Sequence, residues 1–117
     1  MNLLVCGSRV FDNYQLLKDT LDSYLQDKND VTLISGHAKG ADDYAEQYFN
    51  WRKLPIKRFP ADWSQGKAAG MIRNREMAKV ADECIAFLAP NVPSKGTKDM
   101  IQLMKNLNKP VKIIQDV

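Results

Sequence analysis

A chain of 117 residues, 44% hydrophobic and 26% charged, can bury the core of one domain and is too short for several. Its formal charge of +3 suits phosphate-bearing ligands without demanding a nucleic acid. No apolar run nears the roughly 20 residues of a membrane span, and one histidine with two cysteines shows no metal-ligand spacing.

Asn2–Cys6 (NLLVC) is a short apolar run without alternation, which predicts a strand buried on both faces. Gly7-Ser8-Arg9 ends it. Asn13 to Gln26 predicts a helix that Asp12 or Asn13 can cap, with Leu17, Leu21, Tyr24 and Leu25 on one face. Lys28-Asn29-Asp30 is a turn. Val31, Leu33 and Ile34 then form a buried strand, which Ser35 and Gly36 break. The helix that follows carries Ala41, Tyr44, Ala45, Tyr48 and Phe49 on one face and ends near Lys53, because Pro55 blocks continuation. Ile56–Phe59 is a third strand.

Pro60 to Ala69 has no clear period, as functional or mobile connections often do not. Gly70 to Ala81 predicts a third helix with Ile72, Met77 and Val80 inward. Glu83–Leu88 is a fourth strand, and Ala89–Lys95 a loop. Gly96-Thr97 opens a fourth helix whose buried face is Met100, Ile101, Met104 and Leu107. Asn108-Lys109-Pro110 turns the chain into a last strand, Val111–Ile114. Strands alternating with helices in this way (βαβαβαβαβ) predict one Rossmann-like α/β domain over residues 1–117. Its five-stranded parallel sheet would have helices on both faces. Cys6 and Cys84 lie in apolar runs, as buried reduced thiols do. No secretion signal precedes the first strand, so a cytoplasmic location is expected.

Ligands of such sheets sit beyond the carboxyl ends of the strands, and three turns of this chain fall on that edge. Gly7-Ser8-Arg9 is not a GxGxxG fingerprint, which gives no support to a dinucleotide-dependent dehydrogenase. Gly7 permits a tight turn, Ser8 offers a hydroxyl, and Arg9 can bind phosphate bidentately or simply face solvent. Ser35-Gly36-His37-Ala38-Lys39-Gly40 lacks P-loop spacing, yet its glycines permit a phosphate-cradling turn to which Lys39 adds charge. His37 can contact a ligand or serve as acid or base, although most loop histidines do neither. Asp42 and Asp43 fall in the first turn of the following helix, where the dipole favours carboxylates. Asp43 reads as a cap, and Asp42 can also hold a nearby arginine or lysine.

Arg73-Asn74-Arg75 places three polar side chains at successive helix positions, so at least one looks toward the sheet edge. An arginine buried there needs a carboxylate such as Asp42 or Glu76, or a phosphate. Asp62, Trp63 and Lys67 can supply a stacking platform and charge, or Trp63 can lid the core. Ser94, Gly96 and Thr97 can either hold a phosphate at the last helix N-terminus or merely cap it.

In this order, Gly7-Ser8-Arg9, Ser35–Asp42, Pro60-Ala61-Asp62-Trp63, Gly66–Gly70, Arg73–Met77 and Gly96-Thr97 resemble the SLOG superfamily of Rossmann-like proteins. The small stand-alone YspA-type branch is the one it looks like. The resemblance implies binding of a nucleotide or nucleotide-derived ligand such as ADP-ribose or a nucleoside monophosphate. Arg9, Lys39 and the 36–40 and 94–97 turns would hold phosphate, and Arg73 and Asn74 ribose or base.

Two related groups imply other outcomes. LOG-type phosphoribohydrolases cleave the N-glycosidic bond of nucleotides with a PGGxGTxxE motif. The matching stretch here is Pro93–Met100, where the glycine pair is absent and Met100 stands at the place of the catalytic glutamate. Methionine cannot act as a base, which leaves Glu76, Asp42 and Asp99 as acidic candidates. DprA/Smf proteins carry similar GSR, SGxAxGxD and RNR elements and bind single-stranded DNA. Trp51, Trp63, Arg73 and Arg75 are the residues that could do so here. By analogy with relatives a homodimer is also expected, through outward apolar residues such as Trp51 or Phe11.

Overall fold

The computed structural model describes residues 1–92 and 94–116, so Pro93 and Val117 lie outside the described residues. The element order is β1 (Asn2–Gly7), α1 (Tyr14–Tyr24), β2 (Thr32–Ser35), α2 (Ala41–Trp51), β3 (Ile56–Arg58), α3 (Ala69–Val80), β4 (Glu83–Leu88), α4 (Lys95–Asn106) and β5 (Val111–Gln115). All strands are parallel and their spatial order is β3-β2-β1-β4-β5. This is the expected Rossmann-like α/β fold.

The period of two along each strand divides the core. Leu3, Val5, Leu33, Ile85 and Phe87 pack in the cluster that contains residues of α1 and α2. Leu4, Cys6, Ile34, Cys84 and Ala86 pack with residues of α3 and α4 on the other face. Leu3, Leu4 and Val5 are fully buried, as a central strand with both faces covered requires. Each such side chain contributes about 1.5–3 kcal/mol by leaving water.

Local chemistry sets the ends of the helices. Asn13 rather than Asp12 caps α1, its side chain accepting the Leu16 N–H at 3.0 Å. Tyr48 of α2 donates to Asp22 of α1 at 2.6 Å and accepts from Arg52, which locks the two helices together. Lys53 stops α2 in a left-handed conformation at φ 57°, just before Pro55.

Four expectations need correction. Leu107 is exposed because α4 ends at Asn106 and Leu107 only caps it. Ile72 and Val80 are half-buried, and Ala69, Asn74, Met77 and Ala78 are the buried residues of α3. Phe11 does not face outward. It is 2% exposed and packs on Phe87 at 5.4 Å between ring centroids, so of the two residues expected to mediate dimerisation only Trp51 is exposed. The stretch from Pro60 to Ala69 is not shapeless: a 3₁₀ segment, Trp63–Ala68, kinks at Gly66, where φ is 80°.

Candidate functional site

Strand order reverses direction between β1 and β4, so the connections leaving their carboxyl ends diverge and open a crevice. Gly7 sits where they part. A Cβ there would lie 2.1 Å from the Phe87 carbonyl oxygen and 2.7 Å from the Ala41 Cβ. Only glycine lets β1, β4 and the start of α2 meet this closely. Ser8 is 1% exposed, and its hydroxyl oxygen accepts the Ala89 N–H at 3.1 Å. Its carbonyl accepts the N–H groups of Phe11 and Ala41. Ser8 therefore ties the crevice loops together instead of standing free as a ligand donor.

A cavity of about 320 Å³ fills the crevice, with Arg9, Asp42, Arg73, Asn74, Thr97 and Met100 among its walls. Asp42 is 7% exposed and accepts the Ala38 N–H at 3.3 Å. Burial raises its pKa to about 6, against the opposing pull of the Ala38 N–H and Arg73; the neighbouring Glu46 adds to the rise. Arg73 reaches over from α3, and its Nη1 donates to the Gly36 carbonyl at 2.6 Å. Its Nε is buried without a partner among the described residues. Burial lowers its pKa, Asp42 raises it, and Arg9 lowers it further. No carboxylate among the described residues lies within salt-bridge distance of Arg73.

Asn74 donates to the Gly96 carbonyl at 3.3 Å and to Asp99 at 3.1 Å, holding the α4 N-terminus against α3. Ser94 occupies the cap position of α4, but its hydroxyl donates to the Thr97 hydroxyl at 2.6 Å and accepts no backbone N–H of the first turn. The cap of α2 is Gly40, at φ 76°. Neither helix start has a side-chain cap; the Ser8 carbonyl takes the Ala41 N–H of α2, and the other first-turn N–H groups remain suited to an anion. Asp43 does not cap α2; it accepts from Gln47 one turn on.

A second, more open cleft of about 940 Å³ adjoins the first and shares Arg9, Ala38 and Arg73 with it. Gly36, His37, Lys39, Gly40 and Trp63 also line it. Trp63 is 61% exposed, so it stands at the cleft and does not lid the core. Asp62 is occupied in capping the 3₁₀ segment through Ser64. Lys67, Arg75 and Glu76 are exposed and line neither cavity.

The least anticipated group is Glu46. It is 6% exposed and gathers Ser35 Oγ at 2.7 Å, His37 Nδ1 at 2.9 Å and Arg58 Nε at 2.6 Å. The signal for it was its place four residues after Asp42, which puts both carboxylates on one side of α2. Arg58 on edge strand β3 gave no such signal.

No curated protein matches the chain. DNA processing protein A from Streptococcus pneumoniae is similar in fold, with a TM-score of 0.61 at 13% identity over 94% of this chain. The chain spans 57% of that protein's length. The C-terminal domain of a hydrogenase from Pyrococcus furiosus gives 15% identity over 96% of this chain and 89% of its own, with a TM-score of 0.48. Residues 1–66 match the family model described as the YspA, cpYpsA-related SLOG family, from β1 into the 3₁₀ segment. That match spans more than half of the sequence and contains both glycine turns of the crevice, Gly7-Ser8-Arg9 and Ser35–Gly40. The chain belongs to the YspA, cpYpsA-related SLOG family.

Proposed function

We propose that the chain binds a nucleotide or nucleotide-derived ligand, such as ADP-ribose or a nucleoside monophosphate, in the crevice at the carboxyl edge of the sheet. Residues 1–117 would act as one ligand-binding domain, as a sensor or a processing protein. The observation that carries this is the part-buried Arg73 guanidinium, which has no carboxylate in salt-bridge range among the described residues and lies beside Arg9 between the two cavities. A cation held so, close to two helix N-termini without side-chain caps, suits a phosphate. Lys39 adds charge, and the buried carboxylate of Asp42 suits a ribose hydroxyl.

Isothermal titration with AMP, ADP and ADP-ribose tests the proposal. One of them should bind, and Arg9→Ala and Arg73→Gln should each weaken it by about 10-fold or more, the value of one charge-assisted hydrogen bond. Unchanged affinity in both variants would overturn the site assignment.

The hydrolase alternative draws support from Asp42, a cavity carboxyl with a pKa near 6 that suits a general acid. Asp99 is engaged by Asn74, and Glu76 lines neither cavity. Free base released from a nucleoside monophosphate, and lost in Asp42→Asn, would support N-glycosidic cleavage. Single-strand binding draws support from exposed Trp63 beside Arg9, Lys39 and Arg73. It predicts oligonucleotide affinity that falls steeply with salt.

A further inference from the structure

The second cleft contains a group that ligand binding alone does not require. His37, the one histidine of the chain, sits at φ 58°, in the left-handed region that histidine enters more readily than most residues other than glycine. Its own N–H donates to Ser35 Oγ at 3.1 Å, and Ser35 donates to Glu46 Oε2 at 2.7 Å. The same carboxylate oxygen meets His37 Nδ1 at 2.9 Å, while Arg58 holds Oε1. Burial pushes the Glu46 carboxyl up, but the bonds from His37, Ser35 and Arg58 outweigh it and hold the group below its ordinary range. An ionised carboxylate only accepts hydrogen bonds, so the imidazole hydrogen lies on Nδ1 and Nε2 is left as the basic nitrogen. Nε2 has no partner among the described residues, and the ring is 56% exposed in the cleft. One nitrogen is fixed and the other is open, which is the arrangement of a carboxylate–imidazole base.

The geometry points to His37 as a general base, positioned by Glu46, that hydrolyses a phosphoanhydride in the bound nucleotide. This rests on the nucleotide-binding reading of the same edge. A water oxygen forms a bond to phosphorus as His37 Nε2 takes its proton. The bridging P–O bond breaks, the departing phosphate keeps the electron pair, and the proton on Nε2 passes to that phosphate or to solvent. Arg9, Lys39 and Arg73 line the same cleft and stabilise the charge that develops on the phosphate oxygens. The charged groups around His37 are Glu46 of α2 and Arg58 of β3 on its inner side. Arg9, Lys39, Asp43 and Arg73 line the cleft with it.

The test incubates the full chain with ADP and with ADP-ribose, with and without magnesium, and measures AMP by chromatography beside affinity by titration. The expected result is AMP from at least one probe. His37→Gln should slow its release by about 100-fold or more while affinity stays nearly unchanged. Glu46→Gln should slow release less, through kcat with KM nearly unchanged, because the imidazole is no longer held by a carboxylate. A merely structural Glu46 would leave kcat in place. Binding without AMP release, or equal release by His37→Gln, overturns the general-base role and leaves nucleotide binding standing. Neither binding nor release overturns both.

Discussion

Three glycines meet three different obstacles in the crevice, and the differences decide what each substitution does. At Gly7 the obstacle is backbone, a Phe87 carbonyl oxygen 2.1 Å from where a Cβ would lie. Backbone in a central strand cannot step aside, so Gly7→Ala should destabilise the fold by about 3 kcal/mol or more. A thermal melt should show a midpoint more than roughly 10 °C lower. At Gly40 the obstacle is the Ser8 carbonyl oxygen at 2.3 Å, combined with a positive φ. At Gly36 the nearest atoms are the side-chain ends of Arg73 at 2.9 Å and Asp42 at 3.0 Å. Those groups can move, so Gly36→Ala should melt within a few degrees of wild type. It should nevertheless lose ligand affinity, because the displaced guanidinium is the one proposed to meet phosphate. Melting curves and titrations on the same preparations separate the two effects.

At the scale of the element, α2 carries the electrostatic cost of the site on one turn and its compensation on the next. Asp42 is buried with a pKa of about 6, raised from an ordinary 3.8. Between those values the folded chain binds more protons than the unfolded one, so stability falls as pH rises. A shift of that size corresponds to about 3 kcal/mol, fully present as stability below pH 4 and lost by about pH 6. Asp42→Asn should flatten this slope in denaturant titrations at pH 4, 5, 6 and 7. Glu46 acts in the opposite sense. Its pKa is lowered, so its share of stability is present at neutral pH and is lost only in acid, below the ordinary glutamate range. On β1 and β4, Cys6 and Cys84 lie 3.7 Å apart as free thiols. The Cys84 hydrogen bond and burial push the Cys6 pKa well up, which makes its thiolate scarce. Both should resist a thiol reagent in the native state and react only as the chain unfolds.

For the whole molecule, the site is built by parts distant in sequence, so binding and global stability are coupled. The crevice takes Arg9 from the end of β1, Asp42 from α2, Arg73 and Asn74 from α3, and Thr97 from α4. A ligand that binds only this assembled state stabilises it by about 2.7 kcal/mol at a hundredfold excess over Kd. For a domain of this size that is a rise of roughly 10 °C in melting temperature. A thermal-shift screen over AMP, ADP, ADP-ribose, NAD, cyclic nucleotides and a short oligonucleotide reads it directly. The similarity to DNA processing protein A from Streptococcus pneumoniae concerns this shared frame. It does not carry the occupant of the crevice with it.

Periodicity alone determined the fold: apolar runs such as Asn2–Cys6 and Glu83–Leu88, set between helices with one apolar stripe, admit little but a parallel sheet covered on both faces. The glycine turns on its carboxyl edge, and Arg73 among the side chains that face it, were legible for the same reason, since they depend on residue type and on helix or strand period. Tertiary structure alone decided how those side chains are used. Ser8 and Asn74 are committed to holding loops and helix ends, because their neighbours in space include backbone groups that no spacing reveals. The Ser35–His37–Glu46–Arg58 network joins a strand end, a turn, a helix and an edge strand. A hydrogen bond acts over about 3 Å, whereas sequence pattern reports only the repeat of each element taken singly. The register that sets β2 against β3, Ser35 opposite Arg58, is what brings those four side chains within that distance.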